Sequence, residues 1–151
     1  MATAITGFSA TSSVSFIRSM ATADIAVTSS EQMSLMTSVQ VAAMSTAQVA
    51  ALNTSSVGSL STAVISSLSV NQIFALVTAQ IAALSSDSQI ISLKNTQVAA
   101  MSTNQIAALS TDQVVAMTTG QFAAMTTAQV STLTTGQIAN METDDLVTLS
   151  T

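Results

Sequence analysis

The side chains that most enzymes use for nucleophilic and general-base work are scarce in this 151-residue sequence. It has no His and no Cys, and its seven acids stand apart except at one place, where Glu142, Asp144 and Asp145 fall together. A Ser or Thr nucleophile needs a base within reach to take its proton. With only isolated carboxylates on offer, none of the many hydroxyls has an evident one. The acid triplet supplies hard oxygen ligands of the kind that hold a divalent cation, but its plainer reading is a solvated polar cap on the last unit of the chain. We therefore expect a non-enzyme, with no catalytic residue, no metal site and no cofactor.

What remains is a column of amides and hydroxyls at constant spacing. Gln97, Gln105, Gln113, Gln121, Gln129 and Gln137 recur every eight residues, each preceded by a Ser/Thr-rich pair. Such a column could read a ligand along one face, and regularly spaced Thr could order water as some ice-binding solenoids do. The structural reading is simpler: the glutamines form a repeat ladder, capping helices and bonding neighbouring units. The Met residues Met33, Met36, Met44, Met101, Met117, Met125 and Met141 likewise read as core filler rather than as ligands.

The elements that position these residues follow from the period. From Thr96 the chain reads TQVAAMST, NQIAALST, DQVVAMTT, GQFAAMTT, AQVSTLTT, GQIANM. With the Gln position as a ruler, slots fall at 16, 24, 32, 40, 48, 56, 64, 72 and 80. One inserted residue near Asp87–Ser88 moves the next to 89, and slots continue at 97, 105, 113, 121, 129, 137 and 145. Of these 17 slots 12 hold Gln; Phe16, Asp24, Ser56, Val64 and Asp145 are the exceptions. The residue after the slot is apolar in every unit, and the fourth after it is Leu or Met everywhere except Thr28. Because the apolar columns are more regular than the Gln column, core packing is the primary constraint. Residues 1–15 stand outside the array as an irregular N-terminal arm or cap, and residues 16–151 form the repeat domain.

The two apolar columns are three residues apart, as in Val98 and Met101. On a strand they would face opposite ways; on a helix they share a face. The Ser/Thr column also stands three before Gln, which is the S/T-x-x-Q capping box of a helix start. One continuous helix is ruled out by the period: eight residues at about 3.6 per turn leave a drift of roughly 80° per unit, so no fixed seam forms. The spacing predicts an all-α solenoid of very short stacked helices, about one per repeat, since such helices cannot stand alone. A β-solenoid is the alternative, suggested by the abundance of Thr and Val.

Bulk composition narrows the partners. Charged residues are only 6% and the net charge is −5, with Arg18 and Lys94 the only cations, which excludes the Lys/Arg-driven phosphate contacts of nucleic-acid binding. No apolar run approaches the roughly 20 residues of a spanning helix, because polar residues interrupt every unit, so no transmembrane segment is expected. The first residues show neither a basic n-region nor a continuous apolar stretch, so we expect no cleaved signal peptide. A surface of Ser, Thr, Gln and Ala is weakly solvated and self-compatible.

The units TAQIAALSS, NQIAALST and DQVVAMTT resemble the Gln-containing octapeptide arrays of large secreted bacterial surface proteins, some of which carry calcium-binding RTX-type segments elsewhere. The resemblance covers nearly all of the chain from residue 16 and implies an extracellular or cell-surface protein exported without a cleaved leader. The glycine-aspartate nonapeptides of the calcium segments are missing here, so that part does not carry over. Together these readings point to a self-assembling subunit of an extracellular filament or surface fibre, its partner being itself, with Ile5 and Phe8 joining subunits. The alternative is a monomeric spacer or binding module, such as an adhesin stalk that takes a glycan, ice or another surface.

Overall fold

The computed structural model describes residues 11–149. Among them lie 17 helices of four to seven residues, from Val14–Ser19 to Thr143–Leu149, and no strand. One of the 17, Ser86–Ile90, is a π-helical turn. The chain is therefore the all-α solenoid expected from the spacing rather than a β-solenoid.

Each unit makes its own start and stop. The Ser or Thr three before the slot takes an extended backbone, with ψ of 159° at Ser102 and 163° at Ser110, and so breaks the preceding helix. Its hydroxyl then accepts the backbone N–H of Gln, at 3.2 Å for Ser102 and 3.1 Å for Ser110, satisfying one of the donors a helix start leaves open. At the other end the Leu or Met column closes the helix with a tight bond to the first apolar column, as from the Leu109 N–H to the Ile106 carbonyl at 3.1 Å. The first helix begins at Val14 with Ser13 as its cap, so the structural unit starts about three residues before the slot, inside the stretch assigned to the arm.

The units wind into a coil because each buries its apolar pair on the same side. The column after the slot is fully buried from Ile17 to Phe122, and the Leu/Met column is nearly so. Each such aliphatic side chain contributes about 1.5–3 kcal/mol on burial. Helices pack three units apart: Thr46–Ala51 lies against Thr22–Ala26 in the turn before it and against Val70–Ala75 in the turn after it. The amide of a slot residue, however, reaches the end of the helix four units back. A turn of the coil thus takes more than three units and fewer than four, and each helix lies across the junction of two helices in the turn below. Outside, the small residues of the unit, such as Ala107 and Asp112, face solvent.

The inserted residue near 87–88 is absorbed locally. Within Ser86–Ile90 the Ile90 N–H bonds to the Ser85 carbonyl five residues back, a π-turn of the kind that single insertions produce inside helices. Ser85 then caps Gln89 over four residues instead of three, at 3.2 Å, and both apolar columns resume in register with Ile90 and Leu93 buried.

Candidate functional site

The feature that sets this fold apart from a plain apolar stack is its glutamine column. In all 12 slots that hold Gln the side-chain oxygen turns back to accept the backbone N–H of the helix cap, as Gln105 does from Ser102 at 2.7 Å and Gln137 from Thr134 at 2.7 Å. At Val77 and Lys94, which offer no hydroxyl, this glutamine half of the box operates alone, with Gln80 and Gln97 accepting at 2.8 and 2.7 Å.

The amide nitrogen points the other way, into the turn before. Gln105 Nε2 donates to the carbonyls of Ile73 at 2.8 Å and Leu76 at 2.7 Å. Gln97 reaches Ile65 and Leu68, Gln113 reaches Ile81 and Leu84, Gln121 reaches Ile90 and Leu93, and Gln129 reaches Val98 and Met101. Gln48, Gln72, Gln80 and Gln89 do the same in the N-terminal half. Among the described residues Gln137 donates only to the Leu109 carbonyl, at 2.7 Å. The Leu/Met-column carbonyls are among those that a short helix leaves open at its end, while the first-column carbonyls also accept the helix-closing N–H, as Ile73 does from Leu76 at 3.2 Å. One carboxamide therefore joins the start of one helix to the end of another, and a polar group buried to 2% exposure in Gln105 has its hydrogen bonds satisfied.

The insertion is visible in this ladder as a shift of one. Gln89, Gln97, Gln105 and Gln113 reach back 32 and 29 residues, while Gln121 and Gln129 return to 31 and 28, the spacing of Gln48 and Gln72. Only the four glutamines whose bonds span residues 87–88 are displaced.

The exceptions sort by place. At slot 56 the short Ser56 hydroxyl bonds to the Thr28 carbonyl at 2.7 Å, and Asn53 supplies the missing amide to Ala26 and Thr28 at 3.1 and 3.0 Å. Thr28, the lone departure of the Leu/Met column, is thus the partner of the irregular slot 28 residues later. At slot 64 the Val64 side chain has nothing to donate, and among the described residues no side chain bonds to the Met33 or Met36 carbonyls that its register would address. Phe16 and Asp24 lie in the first turn and are exposed. Asp145 is buried at 5% exposure whereas Glu142 and Asp144 face solvent, and among the described residues no group of three or more acids is arranged to hold a metal ion.

Other surface features are modest. Glu31, fully exposed at a helix start, has its carboxyl held below the usual glutamate value by its own backbone N–H and then by the Ser29 hydroxyl, with desolvation opposing them and the Ser30 hydroxyl adding least. Val70 and Phe74, one helical turn apart, stand exposed on the outer side with Val77 beyond them. A cleft of about 260 Å³ at the C-terminal end is lined by Phe122, Ala123, Met125, Thr127, Val130, Thr148 and Leu149. Among the described residues no helix is long and apolar enough to cross a membrane. Ile5 and Phe8, read from the sequence as joining residues, lie outside the described residues.

The family model of the ALTTAQ repeat matches residues 49–86, 88–119 and 111–141, together more than half of the chain. Its six letters describe the end of one helix and the start of the next, as in Ala124–Gln129, and the gap between the first two matches falls on Asp87, at the π-turn. The match carries the repeat array; the secreted setting and the RTX association rest on the resemblance of the octapeptides alone. No curated protein and no solved structure matches the chain. Its sequence repeats, its capped mini-helices and the family match agree, and the chain belongs to the ALTTAQ-repeat family.

Proposed function

We propose that this chain is a structural, non-catalytic repeat protein that associates with copies of itself end to end, as the subunit of an extracellular or cell-surface filament. One observation carries the reading. The column after the slot, at most 1% exposed from Ile17 to Phe122, opens at the last units, where Ile138 is 42% and Leu146 39% exposed. Inside the coil this surface is covered by the next turn, so these last described units present the face that the chain pairs repeatedly with itself. A contact between unlike ends of identical subunits propagates as an open filament unless its rotation closes a ring. The nearly uncharged sides support the same reading, since they raise no electrostatic barrier to association. The extracellular setting is supported by the octapeptide resemblance.

A monomeric spacer or binding module is favoured by a different observation: Phe16, Asp24 and Asp145 replace Gln at the two ends, so a joint between copies has fewer inter-turn bonds than an interior turn. Sedimentation velocity over a concentration series, with negative-stain electron microscopy of the same samples, decides between them. The filament reading expects mass growing with concentration and rods longer than one coil. A single species of monomer mass at every concentration would reject it in favour of the spacer.

A further inference from the structure

We propose that slot 145 is a cation site, in which Ca²⁺ bridges the Asp145 carboxylate to the backbone carbonyls of Val114 and Met117. The argument starts from the burial of this one acid. Glu142 and Asp144 face solvent, as does Asp24, the other aspartate in a slot, whereas Asp145 is 5% exposed. Its side chain is thus enclosed as the slot glutamines are, at 1–4% exposure from Gln40 to Gln137.

The helix that carries it, Thr143–Leu149, packs on Thr119–Ala123 three units before, the spacing used throughout the coil. In that register a slot residue turns to the carbonyls 31 and 28 residues back, as Gln129 does to Val98 and Met101. For Asp145 these are the carbonyls of Val114 and Met117, both buried residues. The Val114 carbonyl takes the Met117 N–H at 3.1 Å and keeps a second lone pair, and the Met117 carbonyl lies at a helix end.

A glutamine in this slot would donate its amide hydrogens. A carboxylate donates none, so acceptors face acceptors. Among the described residues no hydrogen bond or ion pair reaches the Asp145 carboxylate, and burying a carboxylate without a partner is costly. A proton or a cation between the oxygens removes that cost, and the length of the side chain selects the cation. Aspartate is one methylene shorter than glutamine, so its oxygens stand back from the place that Gln129 Nε2 takes at 2.9 and 2.7 Å from its acceptors. A shared proton needs the oxygens within about 2.5–3.0 Å, which would draw the helix inward. Ca²⁺ takes oxygens at about 2.3–2.6 Å on every side and so spans the wider gap. Every fully enclosed side-chain oxygen or nitrogen among the described residues has a partner, so the Asp145 oxygens keep some contact with solvent. Water completes the ion's shell by that route. Mg²⁺, held at about 2.0–2.1 Å and reluctant to shed water, fits less well, and a single carboxylate sets the calcium affinity near about 10⁻³ M. Bound there, the ion ties a helix start to the turn before it, as the glutamine amide does elsewhere. The site is complete within one chain and is independent of association between copies.

The full chain, stripped with a chelator and titrated with CaCl2 through the millimolar range, tests this by nuclear magnetic resonance and hydrogen exchange. The Asp145 carboxyl resonance is expected to saturate, and exchange at the Leu146 amide, which bonds to the Glu142 carbonyl at 3.1 Å, to slow at least about threefold. MgCl2 at equal concentration is expected to give less than about half the response. Asp145→Asn is expected to abolish the exchange response to calcium. Asp145→Gln restores the amide and is expected to slow exchange at Leu146 without calcium, which then adds nothing. The exposed pair Glu142→Gln with Asp144→Asn is expected to keep the response within about twofold. Circular dichroism checks that each variant is folded. A wild type blind to calcium, or an Asp145→Asn variant that responds as the wild type does, overturns the site. So does a response lost with the exposed pair and kept with Asp145→Asn, which would mark diffuse binding to surface acids. Exchange that slows in acid but ignores calcium would put a proton in the ion's place and overturn it equally.

Discussion

Replacing Gln105 tests whether the ladder stabilises the coil or merely decorates it. The side chain is 2% exposed and makes three short bonds: it accepts from the Ser102 N–H at 2.7 Å and donates to the Ile73 and Leu76 carbonyls at 2.8 and 2.7 Å. Gln105→Leu keeps the volume and removes all three. At about 1 kcal/mol net per bond the loss is about 3 kcal/mol, and each buried backbone group left without a partner adds to it, for a total of about 3–5 kcal/mol. Gln105→Glu separates the two halves of the role. Its carboxylate can still accept from Ser102, but it turns a charge toward two carbonyl oxygens, so the folded protein favours the protonated acid, which accepts from Ser102 and donates to one carbonyl. The folded pKa is raised above the unfolded value. The stabilising contribution is then complete below the unfolded glutamate pKa and is lost as pH rises through the folded one.

Urea denaturation at several pH values measures this, with native-state hydrogen exchange at the Ser102 amide as the local reading, because stability in repeat proteins is distributed over units and their interfaces. Gln105→Glu should be less stable than Gln105→Leu at neutral pH, recover toward wild type in acid, and speed exchange at Ser102 less than Leu does. A Leu variant that loses under about 1 kcal/mol, or a Glu variant whose stability relative to wild type ignores pH, would show that apolar packing alone holds the turns.

Three further outcomes follow from particular residues. Val64→Gln places an amide opposite the Met33 and Met36 carbonyls and completes the box already begun by Ser61, which accepts the Val64 N–H at 3.3 Å; we expect a gain of about 1–2 kcal/mol after the lost apolar burial, seen as a higher urea midpoint. Gly136→Ala adds a methyl where nothing lies within 4 Å, at a helix position where Ala is favoured by about 0.5–1 kcal/mol, and should raise the melting temperature. Glu31, by nuclear magnetic resonance titration of its carboxyl, should show a midpoint below the ordinary glutamate value. A depressed folded pKa stabilises above the unfolded value and that contribution fades as pH falls through the folded one, so Glu31→Gln should matter least in acid.

Much of the fold was legible because its rules are local. The offset of three between the apolar columns, the Ser/Thr three before Gln, and the slip at Asp87–Ser88 are all statements about neighbours within one unit, and the structure realises them as mini-helices, capping boxes and a π-turn. The far partner of the Gln amide is not a local matter. A capping box accounts for the side-chain oxygen and the Ser hydroxyl but says nothing of where Nε2 goes, because that depends on the angle through which each unit turns the chain. That angle arises from the junction at each cap, and no residue type reports it.

A signal was nevertheless present in the exceptions. Thr28 breaks the Leu/Met column and Ser56 breaks the Gln column, and they stand 28 residues apart, the same interval that separates Gln48 from Met20 and Gln72 from Met44. Paired departures in a periodic chain mark positions that touch: a slot that loses its long amide needs a neighbour that can supply one, and Asn53 supplies it. Val64 is the departure without such a neighbour, while Phe16 and Asp24 lie in the first described turn and Asp145 replaces the amide by an acid. The regular units thus reveal the helix, and the irregular ones reveal the coil.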